Sequence, residues 1–210
     1  MFHVRDFIER LQTGDVIFLK YHPAWYERLF WRQSTYVNVA MFIEDGHVLG
    51  YTRDVPYLIH SGVDFLKRDK DQHEEKFFRI QATPVHSILA QLNEPPNRSY
   101  FSFEIRPLRC VRDGTFVRDL KECFATLLYR YPGMSARRLI YGSAVPFDLP
   151  PWTEEQWSSG IISYFLFYFR VIPISTHFET IEFRFKDLAY SKDFFTAGFL
   201  GELVQFQQKQ

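Results

Sequence analysis

The chain has 210 residues, with 25 Lys and Arg balanced by 25 Asp and Glu, and 46% of its residues are hydrophobic. This composition excludes a disordered or collagen-like chain, because enough apolar side chains are present to offset the entropy lost on folding. A net charge of zero argues against a nucleic-acid-binding protein, which needs a basic surface to attract phosphates. With 23 Phe residues, the core is predicted to be rich in phenylalanine.

The predicted elements alternate along the chain. A helix through Leu11 ends at the turn Thr13-Gly14-Asp15, and an aromatic-rich helix is predicted at 22–31. Runs of β-branched and aromatic residues predict strands at 16–19, 36–43, 55–61, 77–80, 101–111 and 180–185. Apolar residues at helical spacing predict further helices at 84–92, 116–131 and 153–169, the last introduced by a capping box. At this length, one domain spanning 1–210 is expected, with no metal or disulfide needed for stability.

The cysteines and the apolar runs of the sequence indicate the cellular compartment of the protein. Cys110 and Cys123 lack CxxC spacing and lie in apolar surroundings, so they predict core residues in a reducing environment. The N-terminus lacks the continuous apolar centre of a secretory signal. The longest apolar run, 161–169, is shorter than the roughly 20 residues of a membrane span. We therefore expect a soluble, intracellular protein.

Ordinary enzyme motifs are absent from the sequence. It contains no glycine-rich phosphate loop, HExxH, GxSxG or close His/Asp cluster, so neither a cofactor nor a metal is predicted. Six histidines in polar or turn-like contexts are predicted to be solvated: His3, His22, His47, His73, His86 and His177. His60 lies inside a predicted strand, where it is either a hydrogen-bonded core residue or a functional one.

Three segments together resemble a known family. They are Leu11–Phe18 (LQTGDVIF), Tyr36–Ile43 (YVNVAMFI) and Trp157–Tyr164 (WSSGIISY). In their order and spacing they are similar to the circularly permuted NlpC/P60 papain-like hydrolases, in which an L-x-x-G-D strand precedes a strand with the catalytic histidine. A late helix in that family begins with the cysteine nucleophile. The resemblance covers about 11–173 and implies an α+β fold, with a central, mainly antiparallel sheet or half-barrel packed against helices.

Both catalytic positions are altered in this chain. Asn38 stands where the family has histidine, and an amide has no titratable nitrogen. Ser158 stands where the family has cysteine, and a hydroxyl stays protonated unless a base lies beside it. The family's third polar position falls on Gly50 in an ungapped alignment, or on His60 if 45–54 lengthens a hairpin. The segment PYLIHSG favours His60.

Together, the family resemblance and the altered residues at the two catalytic positions predict a catalytically inactive domain. Such a domain would act as a structural or binding module with a protein partner. Because large DNA viruses encode relatives, the resemblance also implies a virion or minor capsid role. One alternative is an amidase, peptidase or acyl-ester hydrolase that uses Ser158 with His60, or a reactive Cys110 or Cys123 near His60. Another is a lipid or acyl-group binder, with a groove lined by aromatic residues: Trp25, Tyr26, Phe30, Trp31 and Trp157.

Overall fold

A computed structural model of the chain describes residues 8–22, 36–61, 80–94, 101–129, 162, 201 and 204–206. Within these residues, a six-stranded sheet is combined with two α-helices and a short 3-10 helix, so the fold is α+β. All neighbouring strands of the sheet run antiparallel. None of the helices in the described part is long and apolar enough to cross a membrane.

The strands are β1 Val16–Tyr21, β2 Tyr36–Ile43, β3 Tyr57–Ser61, β4 Ile80–Pro84, β5 Phe101–Arg106 and β6 Val204–Phe206. The helices are α1 Val85–Asn93 and α2 Gly114–Tyr129, and the 3-10 helix is Gly46–Leu49 between β2 and β3. Across the sheet the order is β4-β3-β2-β1-β5-β6. Strands β1 and β2 are therefore central.

Most predicted elements in the described residues are confirmed, with shifted ends. The prediction for β2 has the observed bounds, whereas β5 ends at Arg106 and the strand predicted as far as Val111 is wrong beyond that point. Pro107 follows Arg106, and proline has no N–H to donate to a strand ladder. Strand β4 continues to Pro84, where the sequence predicted the start of a helix. Strand β6 was not predicted.

Several predictions lie outside the described residues. They include the helix at 22–31 beyond its first residue, the strand residues 77–79 and the strand at 180–185. Of the predicted helix at 153–169, only Ile162 is described, and it is helical and buried.

Helix α1 covers one face of the sheet, here called the α1 face. Its buried residues are Val85, Ile88, Leu89 and Leu92. They pack on apolar residues of four strands, β1, β2, β3 and β5: Ile17, Leu19, Ala40, Phe42, Leu58, Phe103 and Ile105. Strand side chains alternate between faces, so Val16, Phe18 and Lys20 point to the opposite face. Phe18, Phe42 and Phe103 are the largest fully buried side chains of the described residues, in line with the expected phenylalanine-rich core.

The L-x-x-G-D motif leads into β1 and has a structural explanation. Leu11 is buried in the core, and Gly14 has a φ of +98°, a backbone conformation that favours glycine. A Cβ at Gly14 would lie 2.7 Å from Leu108 Cδ2, so the close approach of this side chain also requires glycine. The motif therefore fixes the turn that feeds the chain into the sheet.

Asp15 ties this turn to the segment after β5. Its Oδ2 accepts from the Gln12 N–H at 2.9 Å, and its Oδ1 accepts from the Leu108 N–H at 2.8 Å and from Arg112 Nη2 at 2.9 Å. Arg112 also donates to the carbonyl oxygens of Thr13 and Leu108. Burial raises the pKa of the Asp15 carboxyl, although the hydrogen bonds from Gln12 and Leu108 and the Arg112 charge act to lower it. We call this arrangement the Asp15 clamp.

Candidate functional site

Asn38 and His60 lie on neighbouring strands and on the same face of the sheet. Asn38 is opposite Leu19 in the β1–β2 pairing, and His60 is opposite Ala40 in the β2–β3 pairing. Because Leu19 and Ala40 both belong to the α1 face, Asn38 and His60 also point to that face. Diagonal positions of this kind are about 7–8 Å apart in ordinary sheets. The structure therefore brings together two of the three predicted positions.

A β-bulge precedes Asn38. Leu19 pairs with Asn38 but Lys20 pairs with Tyr36, which leaves Val37 as the extra residue of β2. The Asn38 side chain is 5% exposed, and its Oδ1 accepts from the N–H of Val39 at 2.8 Å. Bulges re-aim side chains and are frequent next to functional sites. The side chain beside this bulge is an amide that bonds to the backbone of its own strand and carries no titratable group.

His60 is fully buried, as the sequence predicted for a histidine inside a strand. Its Nε2 lies 2.8 Å from Oγ1 of Thr83 on β4. A hydroxyl can donate or accept, so this contact allows either neutral tautomer of the imidazole. The Thr83 contact orients the ring within the sheet. Thr83 was not predicted from the sequence, because the pairing of β3 with β4 joins residues that are distant in the chain.

Gly50, the alternative third position, lies at the end of the 3-10 helix. It is exposed and has a φ of +83°. Asp45 begins this helix, and its Oδ1 accepts from the N–H groups of His47 and Asp54. The hydrogen bond from His47 is the main cause of the lowered pKa of Asp45. Of the two alternatives, only His60 lies on the strand beside Asn38.

The remaining predicted site residues lie outside the described residues. They are Ser158 and the candidate groove residues Trp25, Tyr26, Phe30, Trp31 and Trp157. Their approach to Asn38 and His60 therefore stays a prediction.

The two cysteines have the properties of unreactive thiols. Cys123 is buried in α2, as predicted, and burial raises its pKa well above the usual value. Cys110 lies in the bend after β5 rather than in a strand, and burial raises its pKa despite the opposing charge of Arg112. A raised pKa disfavours the thiolate, which is the nucleophilic form. Within the described ranges, no cluster of three or more His, Cys, Asp or Glu could hold a metal ion.

A cluster of polar side chains on the opposite face was not predicted. Glu104, in the middle of β5, is 1% exposed. Its Oε1 lies 2.7 Å from Lys20 Nζ, and its Oε2 accepts a hydrogen bond from the Tyr36 hydroxyl. The Lys20 ammonium also lies 5.6 Å from the centroid of the Tyr36 ring. The available signal was the alternation in FSFEIR, which places Ser102, Glu104 and Arg106 on one face of the strand.

Comparison of the chain with protein-family models and with curated proteins gives no match. The resemblance to the NlpC/P60 hydrolases therefore depends on the sequence motifs.

Proposed function

We propose that this chain is a catalytically inactive, permuted NlpC/P60-like domain that serves as a structural or binding module. The proposal is based on the chemistry and the hydrogen bond of the Asn38 side chain. At the position where the resembled family has its catalytic histidine, the chain has a buried amide whose oxygen accepts from the Val39 N–H. An amide cannot take a proton from a nucleophile, so general-base catalysis at this position is lost.

The arrangement of the strands supports the resemblance. The L-x-x-G-D turn leads into β1, β2 carries Asn38, and the adjacent β3 carries His60 on the same face. This is the relation that the family pattern requires between the histidine and the third polar residue. With Ser158 in place of cysteine, the nucleophile is also weakened, because an aliphatic hydroxyl needs a base beside it.

The proposed module acts through a protein partner. Aromatic residues make up 19% of the chain, and Phe, Tyr and Trp are enriched at protein interfaces. The resemblance extends the proposal to a virion or minor capsid component of a large DNA virus. Lipid detected by native mass spectrometry of the purified chain would contradict a module that binds only protein.

Hydrolase assays test the loss of catalysis. The full chain and its Ser158→Ala variant are incubated with peptide, amide and acyl-ester substrates. We expect no difference between them, because the Ser158 hydroxyl has no base at position 38. Turnover by the natural chain that disappears in Ser158→Ala would overturn the proposal.

Thiol reactivity tests whether positions 38 and 158 share a site. The rate of alkylation by iodoacetamide is measured for the thiol introduced by Ser158→Cys and for the same thiol in the double variant Asn38→His/Ser158→Cys. Peptide mapping distinguishes this thiol from Cys110 and Cys123. An imidazole beside the thiol favours the thiolate, so we expect alkylation about 10-fold faster in the double variant. Equal rates in the two variants would show that the positions are apart.

A further inference from the structure

The opposite face of the sheet carries a second group of chemically active side chains. Lys20 on β1 is directly opposite Ser102 on β5, and Phe18 is opposite Glu104. Because side chains two residues apart share a face, Lys20, Ser102 and Glu104 lie together there. His22 follows the end of β1 and reaches the same place.

Ser102 and His22 form a close hydrogen-bonded pair. Ser102 Oγ lies 2.6 Å from His22 Nε2, and the contact is exposed to solvent. In the tautomer whose Nε2 carries no proton, the Ser102 hydroxyl donates to it, which is the arrangement of a nucleophile and its general base. His60 lies at a comparable distance from the Thr83 hydroxyl, but it is fully buried and so is closed to a substrate from solvent.

An ion pair lies on the same face, and its lysine, Lys20, is directly opposite Ser102 in the strand pairing. Lys20 Nζ is held 2.7 Å from Glu104 Oε1, and Tyr36 donates to the other oxygen of Glu104. Burying a carboxylate such as Glu104 is costly, and an ion pair of this kind gives little net stability compared with apolar packing. A fixed ammonium opposite Ser102 is, however, suited to stabilising an oxyanion.

We propose that Ser102 and His22 form an acyl-accepting site for activated carboxylic esters. Ser102 Oγ attacks the ester carbonyl carbon while its proton passes to His22 Nε2, and Lys20 stabilises the oxyanion. The carbon–oxygen bond to the leaving group then breaks, and the leaving alcohol takes the proton from His22. Water releases the acyl group as a carboxylic acid, with His22 as base. This inference goes beyond the proposed function, since it uses neither Asn38 nor Ser158, and the proposed inactivity concerns those two positions alone.

Acetylation by p-nitrophenyl acetate tests the proposal on the full chain. We expect a burst of p-nitrophenolate and an acetyl group on Ser102, identified by peptide mass spectrometry. In Ser102→Ala the burst is lost, and in His22→Gln the acetylation of residue 102 is about 100-fold slower, the usual contribution of a general base. Ser87, a partly exposed serine on α1, is the matched control, and Ser87→Ala keeps the burst.

Three outcomes would overturn the proposal, provided that circular dichroism shows each variant to be folded. They are a burst that persists in Ser102→Ala, acetylation of Ser102 that is equally fast in His22→Gln, and acetylation of Ser102 no faster than that of Ser87. A burst lost in Ser158→Ala but kept in Ser102→Ala would contradict both this inference and the proposed inactivity. A burst that depends on Ser102 and His22 alone leaves the proposal for Ser158 intact.

Discussion

The two faces of the sheet bury their side chains by different means. The α1 face is almost entirely apolar, and its polar residues Asn38 and His60 form hydrogen bonds with a backbone N–H and a threonine hydroxyl. The opposite face combines apolar residues such as Phe18 with the ion pair of the buried Glu104 and the partly exposed Lys20. Both faces exclude water from their central residues. Only the opposite face buries part of an ion pair, and removing charged groups from water costs free energy.

The two faces contribute differently to the stability of the fold and to its chemical reactivity. Apolar burial on the α1 face gives a large favourable free energy, whereas a buried ion pair gives little net stabilisation. The groups able to take part in proton transfer or charge stabilisation are more accessible on the opposite face, where His22 and part of Lys20 are exposed. The α1 face therefore holds the fold together, and the opposite face retains reactive groups.

Removing apolar volume from the α1 face gives the largest expected effect. Leu89→Ala deletes a fully buried side chain of α1, so we expect a loss of about 3–4 kcal/mol in the free energy of unfolding. Urea denaturation measures this loss. Ala90→Gln changes an exposed position of the same helix and serves as the control, with an expected change within about 0.5 kcal/mol. Equal losses in the two variants would show that α1 does not pack as described.

The Asp15 clamp, in the turn before β1, holds another buried carboxylate, which has a different set of partners. Arg112→Met leaves Asp15 with its two backbone hydrogen bonds but without its counter-charge, so we expect a loss of about 3 kcal/mol near neutral pH. Arg118→Met removes an exposed pair with Asp119 and should change the stability little.

The loss in Arg112→Met should depend on pH. The pKa of Asp15 is raised by burial, and removing Arg112 raises it further. A group with a raised folded pKa favours folding below its unfolded pKa and loses that contribution as the pH rises through its folded pKa. The difference between the natural chain and Arg112→Met should therefore grow from about pH 4 towards neutrality. A difference independent of pH would mean that the clamp acts only through its hydrogen bonds.

The ion pair on the opposite face is expected to have a smaller effect. Lys20→Met leaves the buried Glu104 carboxylate without its cation, and we expect a loss of about 2 kcal/mol because the Lys20 side chain is partly exposed. Lys20→Met/Glu104→Gln removes the charge but keeps an oxygen for the Tyr36 hydroxyl, so it should be less destabilised than Lys20→Met. A double variant less stable than Lys20→Met would show that the Glu104 carboxylate stabilises the fold even without Lys20, which contradicts the expected cost of an unpaired buried charge.

The sequence predicted local features well and long-range ones poorly. The run YVNVAMFI is bounded by turn residues and predicts β2 at its observed ends, and the strand context of His60 predicts its burial. The contact of Lys20 with Glu104 joins residues 84 positions apart, and no local pattern specifies such a pairing. The bulge at Val37 is likewise a property of the β1–β2 register, so the sequence alone did not indicate how Asn38 is oriented.

The smallest effect is expected from the N-terminal cap of α2, a helix that belongs neither to α1 nor to the polar cluster on the opposite face. Asp113 precedes α2, and its Oδ1 accepts from the N–H groups of Thr115 and Phe116 at 3.0 Å. Asp113→Ala removes this cap, so we expect a loss of about 1 kcal/mol in urea denaturation. Asp113→Asn keeps a capping oxygen and should retain most of the stability. If both variants lose the same amount, the negative charge at the start of α2 contributes more than the hydrogen bonds, because only that charge is absent from both.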